Sequence, residues 1–236
     1  MSAADKKIAI MQPTFLPWIG YFGLIESVDE FVFLNHVQFD KRSWQQRNRV
    51  KTANGPVWLT VPVVTKGLRD QAINETQIQH ENKDFPEKLI RTIEQNYSKA
   101  PFFPLYADEV FSILRKKHAH LMSLNADLIA YFCEILGIET PIIFSSEMSV
   151  EGHKAALLVN ICKERDATLY LSPPGSRDYL EASDDFERAG IALEYFNYNH
   201  PEWPQAYGDF EPYMSILDLV FNMGDKSMDT IKQGLS

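Results

Sequence analysis

Five cations, Lys41, Arg42, Arg47, Arg49 and Lys51, fall within eleven residues that contain no acid, in a chain of net charge −9. An acidic chain repels anions over most of its surface, so an anionic ligand must be met by a local field of this kind. If residues 47–51 form a strand, Arg47, Arg49 and Lys51 share one face. Guanidinium forks suit phosphate or carboxylate. A solvated edge strand defended by charge carries the same pattern, and both readings stay open. Three further segments stand where apolar runs stop: Gln12 within Met11–Tyr21, then Ser145-Ser146-Glu147, then Ser172 to Ser176 with Tyr179 beyond. Each precedes a helical pattern whose first N–H groups are free to hold an anion, although caps and turns use the same residue types. Last, His200 lies in the aromatic, proline-braced loop YNHPEWPQ. An imidazole there has the pKa for a general base. Ser215, Asp218 and Asn222 share a helical face nearby.

The elements that would hold these residues follow from periodicity. Lys7–Met11 reads as a strand stopped by Gln12-Pro13, residues 17–28 as a helix opened by Pro17, and residues 31–34 as a second strand. Residues 47–63 read as a β-hairpin about Asn54-Gly55. Residues 72–79 are assigned a strand with little to support it. Residues 85–97, 105–117 and 121–136 carry helical spacing, with Gly137 as C-cap. Strand and helix then alternate: strands at 141–144, 168–171 and 191–196, helices at 152–165 and 179–189, and a last helix at 213–222. Such alternation predicts an α/β fold, a mostly parallel sheet flanked by helices. The chain is expected to be one domain over 1–236, with a β-hairpin and a helical insertion near 83–137. Ligands of such sheets gather at the carboxyl ends of strands, so Gln12, Ser145 and Ser172 are expected around one cavity.

Composition is that of an ordinary globular protein, 45% apolar and 23% charged. Cys133 and Cys162 sit in apolar helical patterns without a CxxC pairing, as buried thiols of a reducing, cytoplasmic setting. No histidine or cysteine pair has metal-ligand spacing, and no metal site is expected. The uncharged run Ile8–Ile25 mimics a membrane segment, but Pro13, Pro17, Gly20 and Gly23 interrupt it.

Several motifs occur in order from about Ile8 to Gly224: QPTFLPWIGYF, VQFDKRSWQQRNRVK with NGPVWLTVPV, SSE before GHK, YLSPPGSRDYL, HPEWPQ and SILDLVFNMG. This series resembles the signature of the WbqC-like family. Two positions depart from the family's pattern: Pro173 stands where glycine is usual, and Asn35 where an aspartate is expected.

The resemblance implies a place in the biosynthesis of O-antigen and other surface polysaccharides. It implies transfer of an aminoacyl group, such as glycyl, to the amine of a nucleotide-linked amino sugar. In that reading Lys41, Arg42, Arg47 and Arg49 hold the diphosphate, while Gln12, Ser145, Ser146, Glu147, Ser172, Ser176 and Tyr179 contact substrate. His200 takes the amine proton, and Gln205 and Asp218 orient the ring or the sugar. Whether ATP or an aminoacyl-tRNA supplies the acyl group stays open. The opening β–α–β also resembles the Rossmann-like HIGH-type nucleotidyltransferases, yet their two histidines are replaced here in Trp18-Ile19-Gly20-Tyr21. A non-catalytic protein that binds a sugar nucleotide is the third reading.

Overall fold

A computed structural model describes residues 5–235. Five short apolar runs form one parallel sheet: β1 (Lys7–Met11), β2 (Glu30–Phe33), β5 (Ile142–Phe144), β6 (Leu169–Ser172) and β7 (Ala192–Tyr195). Their spatial order is β5-β2-β1-β6-β7, and every adjacent pair is parallel. The chain therefore leaves β1 in one direction, through β2 to β5, and returns to the other side of β1 with β6. Alternation along the strands divides the core in two. Ile8, Ile10 and Val32 pack with helix α5 (Ala155–Glu164) and with Leu180 and Phe186. Ala9, Phe31 and Phe33 face a larger cluster on the opposite side. That cluster takes in α1 (Ile19–Glu26) and the helices α2 (Glu87–Tyr97), α3 (Phe103–Arg115) and α4 (Leu121–Leu136). It also takes in α8 (Ile216–Met223).

The hairpin is β3 (Arg47–Val50) against β4 (Val57–Thr60), in register Arg49↔Trp58. Its turn lies one residue earlier than expected. Thr52 and Gly55 exchange both backbone hydrogen bonds, so Ala53 and Asn54 are the central pair. Gly55 follows at φ +93°, a left-handed conformation that glycine adopts without strain. Gly137 ends α4 at φ +69° as anticipated.

Three elements differ from expectation. Residues 72–79 make a 3-10 turn at Ile73–Glu75 with only isolated bridges around it. The helix expected at 179–189 is two short ones, α6 (Arg177–Glu181) and α7 (Asp185–Ala189). Between them the Ser183 hydroxyl accepts from the Asp185 N–H, a local bond that competes with helix. A further helix, α9 (Ser227–Gln233), lies beyond the last one expected. Among the described residues no helix is long and apolar enough to cross a membrane.

At the amino end of the sheet, Glu30 is 5% exposed. It receives Arg165 through Nε and Nη2 at 2.7 and 2.8 Å, and Lys6 Nζ at 3.2 Å. Burial alone would raise its carboxyl, but the hydrogen bonds from Arg165 and Lys6 outweigh that and hold it below the usual range. Removing the fork as Arg165→Ala should cost about 1.5 kcal/mol at pH 7, the lower end for a charged hydrogen bond because the guanidinium is partly solvated. A depressed carboxyl stabilises above its unfolded pKa and ceases to as pH falls through the folded one. Urea titrations should therefore show wild type and variant converging below about pH 4.

Candidate functional site

The reversal of strand order on either side of β1 opens a crevice at the carboxyl ends of β1 and β6, the place where open α/β sheets take ligands. A cavity of about 480 Å³ occupies it. Its floor is apolar, with Ile10, Leu24, Leu34, Leu158 and Phe196. Gln12, Thr14 and Trp18 come from the loop after β1, and Pro173, Gly175, Ser176 and Tyr179 from the segment after β6. A second hollow of about 380 Å³ shares Met11, Thr14, Trp18, Tyr21 and Trp44 with the first and adds Asn48, Arg49 and Tyr213. The two form one cleft. Of the described residues lining it, none is Asp, Glu, His, Lys or Cys, and Arg49 supplies the only formal charge.

Buried amides build the cleft's wall. The loop Gln12–Trp18 lies against the core, where its carbonyls have no strand to pair with. Asn48 Nδ2 donates to Leu16 O at 2.7 Å and Phe15 O at 3.3 Å. Asn125, inside the apolar helix α4, donates to Gln45 O at 2.8 Å and Pro13 O at 3.3 Å. The Tyr21 hydroxyl donates to Gln12 O at 3.1 Å. Phe15 N–H donates to Trp44 O at 2.9 Å. Gln45 then orients Gln12. Its Oε1 accepts Asp40 N–H at 3.0 Å, so its Nε2 donates to Gln12 Oε1 at 2.8 Å. The Gln12 amide is left with its N–H donors for the cleft, and the ligand atom opposite must be an acceptor. Gln45, Asn48 and Asn125 were not singled out from sequence, although an asparagine between Leu124 and Ala126 in an apolar helix was a readable signal of a buried polar partner.

Two of the three expected loops converge, since Gln12 and the Ser176–Tyr179 segment line the cavity. Ser145, Ser146 and Glu147 do not. They follow β5, which β2 separates from β1 by two strand spacings, about 10 Å. Ser145 is buried and closes a local cluster with Asn35, whose backbone N–H and side-chain Oδ1 it meets at 3.1 Å each, and with His36 Nδ1 at 2.6 Å. Asn35 Nδ2 and Oδ1 pair with Ser146 Oγ and N–H. The amide thus does what a carboxylate could not, donating and accepting at once. Ser172 is buried, its Oγ 3.3 Å from Pro173 O, and works as a turn residue.

The basic cluster splits. Arg49 lines the cleft, and Arg47 sits with its guanidinium 4.1 Å over the Trp58 ring beside it. Lys41 and Arg42 are exposed in the preceding loop and line neither hollow. Lys51 is buried and turned inward, donating to Gln205 Oε1 at 3.1 Å and to Asp209 O. Gln205 clasps the Glu211 backbone through both its amide atoms. Asp218, 1% exposed, accepts from Tyr97 OH at 2.8 Å and Trp203 Nε1 at 2.9 Å, and burial raises its carboxyl above the usual range. Gln205 and Asp218 therefore fasten the loop 200–215 to the core, away from the cleft.

His200 lies behind the cleft wall. Its Nδ1–H donates to Pro201 O at 2.8 Å, and its Nε2 accepts Tyr213 N–H at 3.1 Å. Both nitrogens are taken by backbone, leaving neither for a substrate proton. The ring stacks on Trp18 at 5.9 Å and Trp203 at 5.4 Å, and burial lowers its pKa. Its work is to seat Trp18 and Tyr213, which line the cleft. Cys133 and Cys162 are free and buried, their thiols pushed up to about 12 by burial, so neither is a nucleophile. Among the described residues no group of three or more His, Cys, Asp or Glu could hold a metal.

The model of the WbqC-like protein family matches residues 12–230. The chain is also similar to a curated protein of Mycobacterium tuberculosis, "Uncharacterized protein Rv1507c", at 39% identity over 229 residues. The match covers 96% of this chain and 98% of that one. No solved structure matches with significance.

Two outcomes follow from the cleft's construction. A Cβ on Gly20 would stand 2.1 Å from the Trp18 ring. Gly20→Ala should displace that indole at a cost of roughly 1–3 kcal/mol, read as a lower urea midpoint and a red-shifted tryptophan emission. Because His200 is held neutral, the unfolded chain takes up the proton first as pH falls below about 6.5. Acidification from pH 7 to pH 5 should then loosen the 200–213 loop, seen as a smaller protection factor at Tyr213, with the exchange rate taken relative to the intrinsic rate at each pH. In His200→Gln, whose amide has no proton to gain, exchange protection should not vary over that range.

Proposed function

The chain belongs to the WbqC-like protein family, and from that membership and the cleft we propose that it binds a nucleotide-linked amino sugar and acylates its amine during surface-polysaccharide biosynthesis. The observation that carries the binding step is Arg49, a cation with no carboxylate partner among the described residues, on the wall of an otherwise uncharged cleft at the strand-order reversal. Such a cleft suits a ligand with a neutral polar end and an anionic end. The setting proposed is the cytoplasm, which the two buried free thiols support.

The absence of acids and bases from the described lining constrains the chemistry. An amine near pKa 8 is neutral in roughly a tenth of molecules at pH 7, so it can enter ready to attack. The amine nitrogen forms a bond to the acyl carbon, the bond from that carbon to its activating oxygen breaks, and the amine proton leaves with that oxygen or to water. The donor is an acid activated by ATP or esterified to tRNA. Positioning supplies most of the acceleration, and the Gln12 N–H donors suit the oxygen that gains charge. His200 has no part as a base here. The same uncharged lining favours a second reading, a sugar-nucleotide-binding protein without turnover.

Mass spectrometry of amino-sugar nucleotides incubated with protein and glycine plus ATP, or with charged tRNA, should show the gain of one aminoacyl group. Gln12→Ala should lower that rate by roughly 10²–10³. Arg49→Ala should weaken binding of the nucleotide sugar about tenfold and leave the free amino sugar unaffected. Binding without mass gain selects the second reading, and binding of neither ligand removes both.

A further inference from the structure

Beside the cleft stands a group of side chains that neither the core nor any ion pair explains. Trp44 is 47% exposed and Trp58 45%. Their rings meet at 5.2 Å between centroids, tilted by 46°. Arg47 lies over Trp58, and the Arg49 guanidinium stands 5.9 Å from each ring. The Nε of both arginines is shielded from solvent with no hydrogen-bond partner, and neither side chain meets a carboxylate among the described residues. The contact of Arg47 with the Trp58 face accounts for part of this arrangement, but not for two indoles left half in water or for two guanidinium groups without a carboxylate.

We propose that Trp44 and Trp58 form a stacking platform for the unpaired base of a nucleotide whose phosphates are taken by Arg47 and Arg49. The inference rests on the sugar-nucleotide reading of the cleft and adds to it the place and chemistry of the nucleotide end. Three observations favour this ligand. Every nucleobase has a π-face, and aromatic rings with interleaved arginines are the general means of holding unpaired nucleotides. The arginine pair distinguishes it from a neutral sugar, which would leave both cations unanswered. The platform is also tied to the cleft: Trp44 lines both hollows, its carbonyl holds Phe15, and its neighbour Gln45 holds Gln12. A ligand stacked there has its phosphates at Arg49 and its far end toward Gln12. Stacking reads faces and not edges, so discrimination among bases is weak.

Calorimetry of the 236-residue chain with UDP, GDP, pyrophosphate and glucosamine 1-phosphate tests this. Both nucleotides should bind about tenfold or more tighter than the two base-free ligands, and within about tenfold of each other. Trp58→Ala should remove that advantage and leave pyrophosphate binding unchanged, while Trp58→Phe keeps most of it. Should Trp58→Ala fail to fold, quenching of tryptophan emission by UDP in wild type, reduced in Trp58→Phe and lost when Trp44 is also replaced by Phe, gives an independent reading. A short single-stranded RNA that competes with UDP would make a polynucleotide end the source of the base. A nucleotide sugar that binds no tighter than its nucleoside diphosphate would end the sugar reading and leave the platform standing. Equal binding of base-bearing and base-free ligands, or a folded Trp58→Ala with unchanged UDP affinity, would overturn the proposal and assign the tryptophans to a protein contact.

Discussion

A loop that turns inward at the end of a central parallel strand has carbonyls with no neighbouring strand to pair them, and unpaired they would cost a few kcal/mol each. The rest of the molecule is arranged around meeting that need. Asn48 reaches the loop Gln12–Trp18 from the hairpin, Asn125 from a helix of the middle region, and Tyr21 from the helix that the loop itself begins. Three parts of the chain, 32 to 112 residues away from it in the case of the two asparagines, are thereby held to one backbone segment. The β-hairpin gains a defined seat on the sheet, and the cleft gains a wall of fixed shape.

The same economy explains the division between wall and support. Trp18 can fold over the first turn of its helix only because Gly20 presents no side chain there. His200 then holds the indole from behind, and Tyr213 packs beside it on the cleft wall. That loop is held in turn by a buried polar set: Lys51 and Gln205 grip its backbone, and Asp218 takes the Trp203 N–H. The buried Asp218 carboxyl and the His200 imidazole thus lie beneath the cleft. What faces the cleft, among the described residues, is amide, hydroxyl, aromatic and aliphatic side chain and one arginine. A surface of that kind offers a ligand shape and hydrogen bonds, but no carboxylate, imidazole or amine for acid–base work.

The layout also bears on the rivalry with HIGH-type nucleotidyltransferases. The strand order is that of a doubly wound sheet, and the cleft lies where such folds take nucleotides. But Trp18 occupies the wall where an imidazole would be needed, and the Tyr21 hydroxyl turns inward to the Gln12 carbonyl. A parallel sheet flanked by helices does not by itself assign nucleotidyl transfer, and no imidazole stands at Trp18 or Tyr21 to stabilise a leaving phosphate.

The sequence by itself determined most of the elements and the family. Alternation of short β-branched runs with amphipathic segments reports burial on both faces of a strand and one face of a helix, and both are local properties. The strands at Lys7–Met11 and Leu169–Ser172, the hairpin and the cap at Gly137 were legible for that reason. So was the unusual charge of residues 41–51. Tertiary structure decided which of these residues meet. Sheet order sent Ser145 to an edge and brought Gln12 to Ser176, and no run of residues encodes that order by its own periodicity. Register and loop path turned Lys51 inward and Arg49 outward, although both belong to one alternating pattern. His200 and Asp218 had the right chemistry for catalysis, but hydrogen-bond partners 13 and 121 residues away consumed them. A side chain's role depends on which of its polar atoms are left unpaired, and that is settled only when the distant backbone arrives.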